Sequence, residues 1–231
     1  MLSDAIRKWN PWWATGTITD ELLGVPREQL AAILKSLRAR TVKGILGPRR
    51  SGKTTVLYQT MAALIRGGAS PKGIALLNFD DPNIYNVDLQ TLIQECKRIN
   101  PEIRFLFLDE VQEREGWERW VRTIHDTRQF AQVFVTGSSS SILKEDVARV
   151  LTGRHASFHV LPFSFREDLA FLGWKSFERD AVEHRKEEML RCQDMYLKNG
   201  GFTETLGMED DARNVYLLDL FDGVLARDIV A

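Results

Sequence analysis

One stretch constrains this chain more than any other: Gly47-Pro48-Arg49-Arg50-Ser51-Gly52-Lys53-Thr54-Thr55, which reads G-x-x-x-x-G-K-T. An apolar run (Val42, Gly44, Ile45, Leu46) precedes it, and a run with helical spacing (Val56, Leu57, Met61, Leu64, Ile65) follows. A strand that turns through such a loop into a helix N-terminus forms a cradle for phosphate. Gly47 and Gly52 permit torsions and close approaches that a Cβ would block. The loop amides and the helix N-terminus then point at a polyanion. Lys53 is placed to reach β- and γ-phosphates, and the Thr54 hydroxyl to take one Mg²⁺ position. All nine residues from Gly47 to Thr55 are expected to contact the nucleotide.

The rest of the chain supplies what such a loop needs. Strands are expected at 42–46, 74–79, 103–108, 133–136 and 157–161, with helices at 53–66, 87–99 and 116–128 between them. Regular alternation of buried strands and helices predicts an α/β fold, a three-layer parallel sheet wrapped on both sides. Before the first strand, Ala5, Ile6 and Trp9 share a helical face that Asn10-Pro11 ends. A second helix follows Pro26, with Leu30, Ile33, Leu34 and Leu37 on one stripe. Trp9, Trp12 and Trp13 are expected to anchor this arm on the core. Stacking on bases is the other use for them. Lys35, Arg38, Arg40 and Lys43 read as a solvated face, with contact to phosphates as the alternative. After Pro162 the pattern is helical: 165–172, one long charged helix over 177–197, and a last helix over about 212–229. The expected division is an N-terminal helical arm (1–40), a core (41–172) and a helical lid (173–231).

A second motif sits at the end of the third strand, Phe105-Leu106-Phe107-Leu108-Asp109-Glu110. Ligands bind at the carboxyl ends of strands in open α/β sheets. Asp109 is expected to hold Mg²⁺ through a water, and Glu110 to orient and deprotonate an attacking water. A third is Phe134-Val135-Thr136-Gly137-Ser138-Ser139-Ser140-Ser141. If this strand lies between the first and third, its hydroxyls face the γ-phosphate. Ser138 is the first choice for that role and Thr136 the second, while Ser140 or Ser141 can instead cap a helix. Gly153-Arg154 follows a short amphipathic segment (Val147, Val150, Leu151). Arg154, with Arg149 as alternative, reads either as an arginine that reaches the γ-phosphate of a neighbouring subunit or as a surface arginine. Arg49 and Arg50 can grip phosphate or brace the loop through carbonyls. Asp80 and Asp81 read as a turn with Pro82.

Composition excludes several classes. Lys plus Arg (31) nearly balances Asp plus Glu (32), so no global basic field calls for nucleic acid. Cys96 and Cys192 form no metal or disulfide pattern, which fits a reducing cytoplasm. His155 and His159 have helical ligand spacing but lie in a strand-like run. No apolar run approaches a membrane span, and the N-terminus lacks a signal-peptide pattern. The last apolar helix stops with no polar tail, so the natural protein is expected to continue beyond Ala231.

On these residues the chain resembles a prokaryotic, archaeal-type family of AAA-like P-loop ATPases, related to the STAND and origin-initiator branches of AAA+ proteins. The resemblance rests on 47–55, F-L-D-E-V-Q at 107–112, V-T-G-S-S-S at 135–140, L-T-G-R at 151–154, L-P-F-S-F-R-E at 161–167, G-G-F at 200–202 and R-D-I-V at 227–230. It implies ATP and Mg²⁺ bound at Lys53, Thr54, Asp109 and Glu110, a sensor at the Val135–Ser140 strand end, and an arginine finger at Arg154. It also makes Gly200-Gly201 an adenine-side turn, although Thr203 stands where a proline usually follows. Similar proteins usually carry a further C-terminal domain.

The function so expected is Mg²⁺-dependent ATP hydrolysis that drives a partner domain or macromolecule. The alternative is a nucleotide-gated binding module, for DNA among other partners, with little hydrolysis. A metabolite kinase fits less well, because Glu110 beside Asp109 suits water activation. ATP and ADP are the expected ligands, self-association follows from a finger supplied in trans, and a DNA or protein partner is compatible.

Overall fold

The computed structural model describes residues 1–138 and 151–226. Five strands, β1 (Val42–Leu46), β2 (Ile74–Asn78), β3 (Phe105–Asp109), β4 (Gln132–Gly137) and β5 (His155–His159), form one sheet in the order β2-β3-β4-β1-β5. Every pairing is parallel. β1 and β2 are buried along their whole length, as their near-continuous apolar sequences require when helices cover both faces. Phe107 and Phe134 lie opposite one another in the β3–β4 register, and their rings stack at 4.2 Å.

The helices, numbered along the described chain, are α1 (Leu2–Lys8), α2 (Trp12–Thr15), α3 (Asp20–Leu23), α4 (Gln29–Ser36), α5 (Lys53–Arg66), α6 (Pro82–Tyr85), α7 (Leu89–Ile99) and α8 (Trp117–Asp126). After β5 come α9 (Phe165–Phe171), α10 (Arg179–His184), α11 (Lys186–Asn199) and α12 (Asp210–Val224). Asp88 caps α7 by accepting from the Thr91 amide at 2.8 Å, and Ser164 with Glu167 closes a capping box on α9. One large apolar cluster joins the sheet to the N-terminal arm and α5, α7 and α8. A smaller one, around Leu169, Trp174 and Cys192, lies among the C-terminal helices.

The N-terminal tryptophans anchor the arm, as expected. Trp12 and Trp13 are buried, and each indole N–H donates to the Ile74 carbonyl, at 3.0 and 2.6 Å. Between them and Trp9, the Asn10 amide donates to the Leu76 carbonyl at 2.8 Å and accepts from the Leu76 N–H at 2.7 Å. Asn10 thus does for edge strand β2 what one residue of a neighbouring strand would do. Trp9 donates to Asp81 at 2.6 Å, and Asp81 caps α6, the turn role its sequence suggests. Trp12 and Trp13 are therefore unavailable for base stacking.

Three expectations are corrected. Lys43 is fully buried in β1 rather than solvated. Its ammonium donates to Ala39 O at 2.7 Å, Thr41 O at 2.8 Å and Thr41 Oγ1 at 3.0 Å, which satisfies all three of its donors. The long helix over 177–197 is two helices. Arg185 breaks it at φ −120°, ψ 28°, where its guanidinium lies 3.9 Å from the Trp174 ring centroid and binds Glu188. The fifth strand starts two residues earlier than expected, because Val42 N donates to Arg154 O and sets the register. Ser139, Ser140, Ser141, Val147, Arg149, Val150 and the 227–230 motif lie outside the described residues.

Candidate functional site

β1 delivers the chain to the carboxyl end of the sheet, where Gly47–Gly52 turns it into α5. A Cβ on Gly47 would lie 2.0 Å from Val160 O, so only glycine fits against the end of β5. Gly52 precedes the helix at φ 88°, and a Cβ there would also meet Arg27 Nη1 at 2.4 Å. No side chain caps the α5 N-terminus, which leaves its first amides for an external anion. Ser51 Oγ, inside the loop, is buried with no hydrogen-bond partner in the protein. Lys53 Nζ donates to Pro48 O at 3.1 Å and stands 3.8 Å from Glu110 Oε1.

The acidic half of the site comes from β3 and β4. Thr54 Oγ1 donates to Asp109 Oδ2 at 2.9 Å, and Thr136 Oγ1 donates to Asp109 Oδ1. Thr136 Oγ1 also accepts from the Glu110 amide at 2.9 Å, so one hydroxyl on β4 fixes both acids. Asp109 is completely buried. Burial lifts its pKa to about 6 and the Glu110 charge adds to the rise, while the Thr136 and Thr54 hydrogen bonds oppose it. Glu110 turns out of the strand at φ 54°, with Oε2 accepting from Gln112 Nε2 at 2.6 Å.

These residues fit a nucleotide with its divalent cation. The loop has an unpartnered hydroxyl and an uncapped helix start for phosphate. A buried carboxylate beside a threonine hydroxyl is a pair of hard oxygen donors suited to Mg²⁺. Two cavities flank the loop. One of about 470 Å³ is bounded by Arg49, Arg50, Glu110, Tyr216 and Asp219. The other, of about 180 Å³, is bounded by Val25, Thr55, Phe163, Gly201 and Thr203. A larger cavity of about 920 Å³ lies away from this site, against Leu64, Gly73 and Phe105.

The fold thus brings together the loop from Gly47 to Thr55, Asp109, Glu110, Thr136 and Ser138. β4 does lie between β1 and β3, so Ser138 follows a strand end beside the loop. Thr136 is occupied with the two acids. Arg154 is elsewhere. It precedes β5, at the opposite end of the sheet, and its Nε pairs with Asp126 Oδ1 at 2.9 Å. Asp126 is held down near a pKa of about 2 by Arg154 and His125.

Two contacts had no signal in the sequence. Arg50 Nη1 donates to the Tyr216 hydroxyl on α12 at 2.9 Å, and Arg50 has φ 62°, a left-handed conformation uncommon outside glycine. Arg27 and Glu167, 140 residues apart, form a buried ion pair beneath the loop. Arg27 follows Pro26 ahead of α4, and Glu167 also completes the Ser164 capping box on α9, so neither position by itself points to the other.

Comparison with known proteins agrees with this arrangement. The sequence profile of a family described as AAA domain matches residues 39–169, more than half of the chain. An uncharacterized protein of Methanocaldococcus jannaschii is 32% identical over 193 residues, which is 82% of this chain and 42% of that protein. An uncharacterized protein of Haemophilus influenzae is 30% identical over 192 residues, 81% of this chain and 46% of its own length. The chain therefore spans less than half the length of these curated relatives. Among solved structures, AMPPCP-bound DnaA from Aquifex aeolicus matches with a TM-score of 0.50 at 15% identity, over 96% of this chain and 69% of that one, a likeness of fold alone. The parallel sheet in the order β2-β3-β4-β1-β5, the phosphate loop and the profile match together establish that the chain belongs to the AAA domain family of P-loop ATPases.

Proposed function

We propose that this chain binds and hydrolyses ATP with Mg²⁺ and passes its nucleotide state to a partner domain or macromolecule. The observation that carries this reading is the convergence of Lys53, Thr54, Asp109 and Glu110 through contacts of 2.9 to 3.8 Å. The loop residues Gly47, Pro48, Arg49, Arg50, Ser51, Gly52, Lys53, Thr54 and Thr55 surround the phosphates. Lys53 exchanges its contacts with Pro48 O and Glu110 for phosphate oxygens. Thr54 and Asp109 would hold Mg²⁺, and the ion would supply charge neutralisation for the phosphates. Glu110 takes a proton from water as the water oxygen bonds the γ-phosphorus and the bridging P–O bond breaks. Ser138 orients that water, and Thr136 holds the two acids in place. The cavity beside Val25, Phe163 and Gly201 takes the base.

The helices after residue 172 act as the lid over the core (41–172). Their contact with the loop, Arg50 to Tyr216 and to Glu204 at 3.7 Å, is a route for coupling, since phosphate competes for the same guanidinium. Arg154, which precedes β5 at the opposite end of the sheet, would act as a finger on the site of a neighbouring copy. The test is Mg²⁺-dependent ATP hydrolysis by wild type and Glu110→Gln. The expected loss is about 10²–10⁴-fold with ATP binding retained. Equal rates would remove the base assignment, and absence of ATP binding by wild type would remove the reading.

A further inference from the structure

Arg27 makes contacts that neither the helix it introduces nor the core requires. It is almost fully buried, and its planar head reaches three separate segments. Nε donates to Glu167 Oε1 at 2.9 Å, Nη1 to Ser51 O at 2.6 Å, and Nη2 to Leu161 O at 2.6 Å. Its Cζ lies 4.9 Å from the Phe163 ring centroid. The partners are fixed as well. Glu167 accepts from the Glu28 and Ser164 amides, each at 2.9 Å. The Arg27 amide donates to Gln59 Oε1 on α5 at 3.0 Å, and Gln59 donates back to Leu23 O and Val25 O.

The carbonyl that Arg27 grips belongs to the Ser51–Gly52 peptide. A trans peptide is planar, and its C=O and N–H point in opposite directions. Holding Ser51 O down onto Arg27 therefore turns the Gly52 N–H up, away from the protein floor. A buried ion pair is a weak source of stability compared with apolar packing. A rigid fork of five donors, by contrast, is well suited to fixing a peptide plane, which the single nitrogen of lysine cannot do.

We infer that Arg27, braced by Glu167, is a positioning residue for the phosphate loop: it sets the Ser51–Gly52 peptide so that the Gly52 N–H donates to nucleotide phosphate. This rests on the loop being a nucleotide site. It also explains why position 52 has no room for a Cβ, since the methyl would sit against Nη1.

The experiment compares wild type, Arg27→Lys and Glu167→Gln by calorimetric titration with ADP and by the amide NMR shift of Gly52 with and without saturating ADP. Arg27→Lys is expected to bind ADP about tenfold more weakly, the scale of one lost hydrogen bond. Its Gly52 amide should show less than about half the wild-type downfield shift. Trimethylamine N-oxide, which strengthens burial, should restore its Tm without restoring affinity. Affinity and Gly52 shift equal to wild type, or both returning with Tm, would overturn the inference in favour of a purely structural ion pair. If Arg27→Lys does not fold, Glu167→Gln carries the test. About threefold weaker ADP binding is expected, and unchanged binding with a lowered Tm would overturn the inference. Failure of the nucleotide reading shows in wild type, as no ADP binding at all. Failure of this inference shows only in the variants.

Discussion

Lys53 and Glu110 face each other across 3.8 Å, so each charge is balanced by the other. Asp109 is completely buried, so its charge is a cost to the fold. Asp109→Asn should therefore raise the stability of the metal-free protein by about 1–2 kcal/mol while ending Mg²⁺-dependent turnover. Thermal unfolding in EDTA, beside a hydrolysis assay, measures both. Lys43 carries the opposite charge and a comparable burden, since burial pushes its pKa down to about 8 from 10.5. Between those values the unfolded chain binds more protons than the folded one, so stability rises with pH there; below about pH 8 the full penalty remains. Urea unfolding should show wild type gaining on the order of 2 kcal/mol between pH 8 and 10.5 relative to Lys43→Met.

At the scale of elements, the parts legible in the sequence are those written within about ten residues. The turn from β1 through the loop into α5 is one such part, because glycine geometry and helix periodicity are local. Asp109-Glu110 is another, since four apolar residues and two acids mark a strand and its carboxyl end. What the sequence hides is pairing across the chain. No spacing joins Arg27 to Glu167 or Arg50 to Tyr216, because each half has an ordinary local reading. Lys43 misleads for a different reason: a lysine predicts solvent, and burial of β1 inside the sheet turns its ammonium back onto the nearby Ala39 and Thr41 carbonyls. Arg185 is helix-compatible by propensity, and its seat over Trp174 overrides that preference. The Asn10 contact is of the same kind and can be weighed. Asn10→Ala leaves the Leu76 N–H and C=O unpaired and should cost about 2–4 kcal/mol, read as a lowered urea midpoint with unchanged slope.

For the whole molecule, the sheet separates two functions by its length. The loop, Asp109 and Glu110 occupy one end, while Arg154 and Asp126 occupy the other. If Arg154 is the finger proposed above, a site is completed only by a neighbouring copy, and this can be tested by complementation. Lys53→Ala lacks a working loop but keeps Arg154, and Arg154→Ala has the reverse defect. Mixing the two inactive variants should restore up to about a quarter of wild-type turnover if dimers form at random, a recovery that rises with protein concentration. No recovery at any concentration would assign Arg154 to its surface pair with Asp126. Among the described residues no helix is long and apolar enough to cross a membrane. The N-terminal arm sets a further limit on how such copies can join. β2 carries Asn10, Trp12 and Trp13 where another strand would bind, and within the described residues β5 pairs only with β1. A filament that grows by strand addition needs two free edges on every subunit. With one edge stopped by a side-chain amide, this sheet can terminate such a chain but cannot propagate it by strand addition.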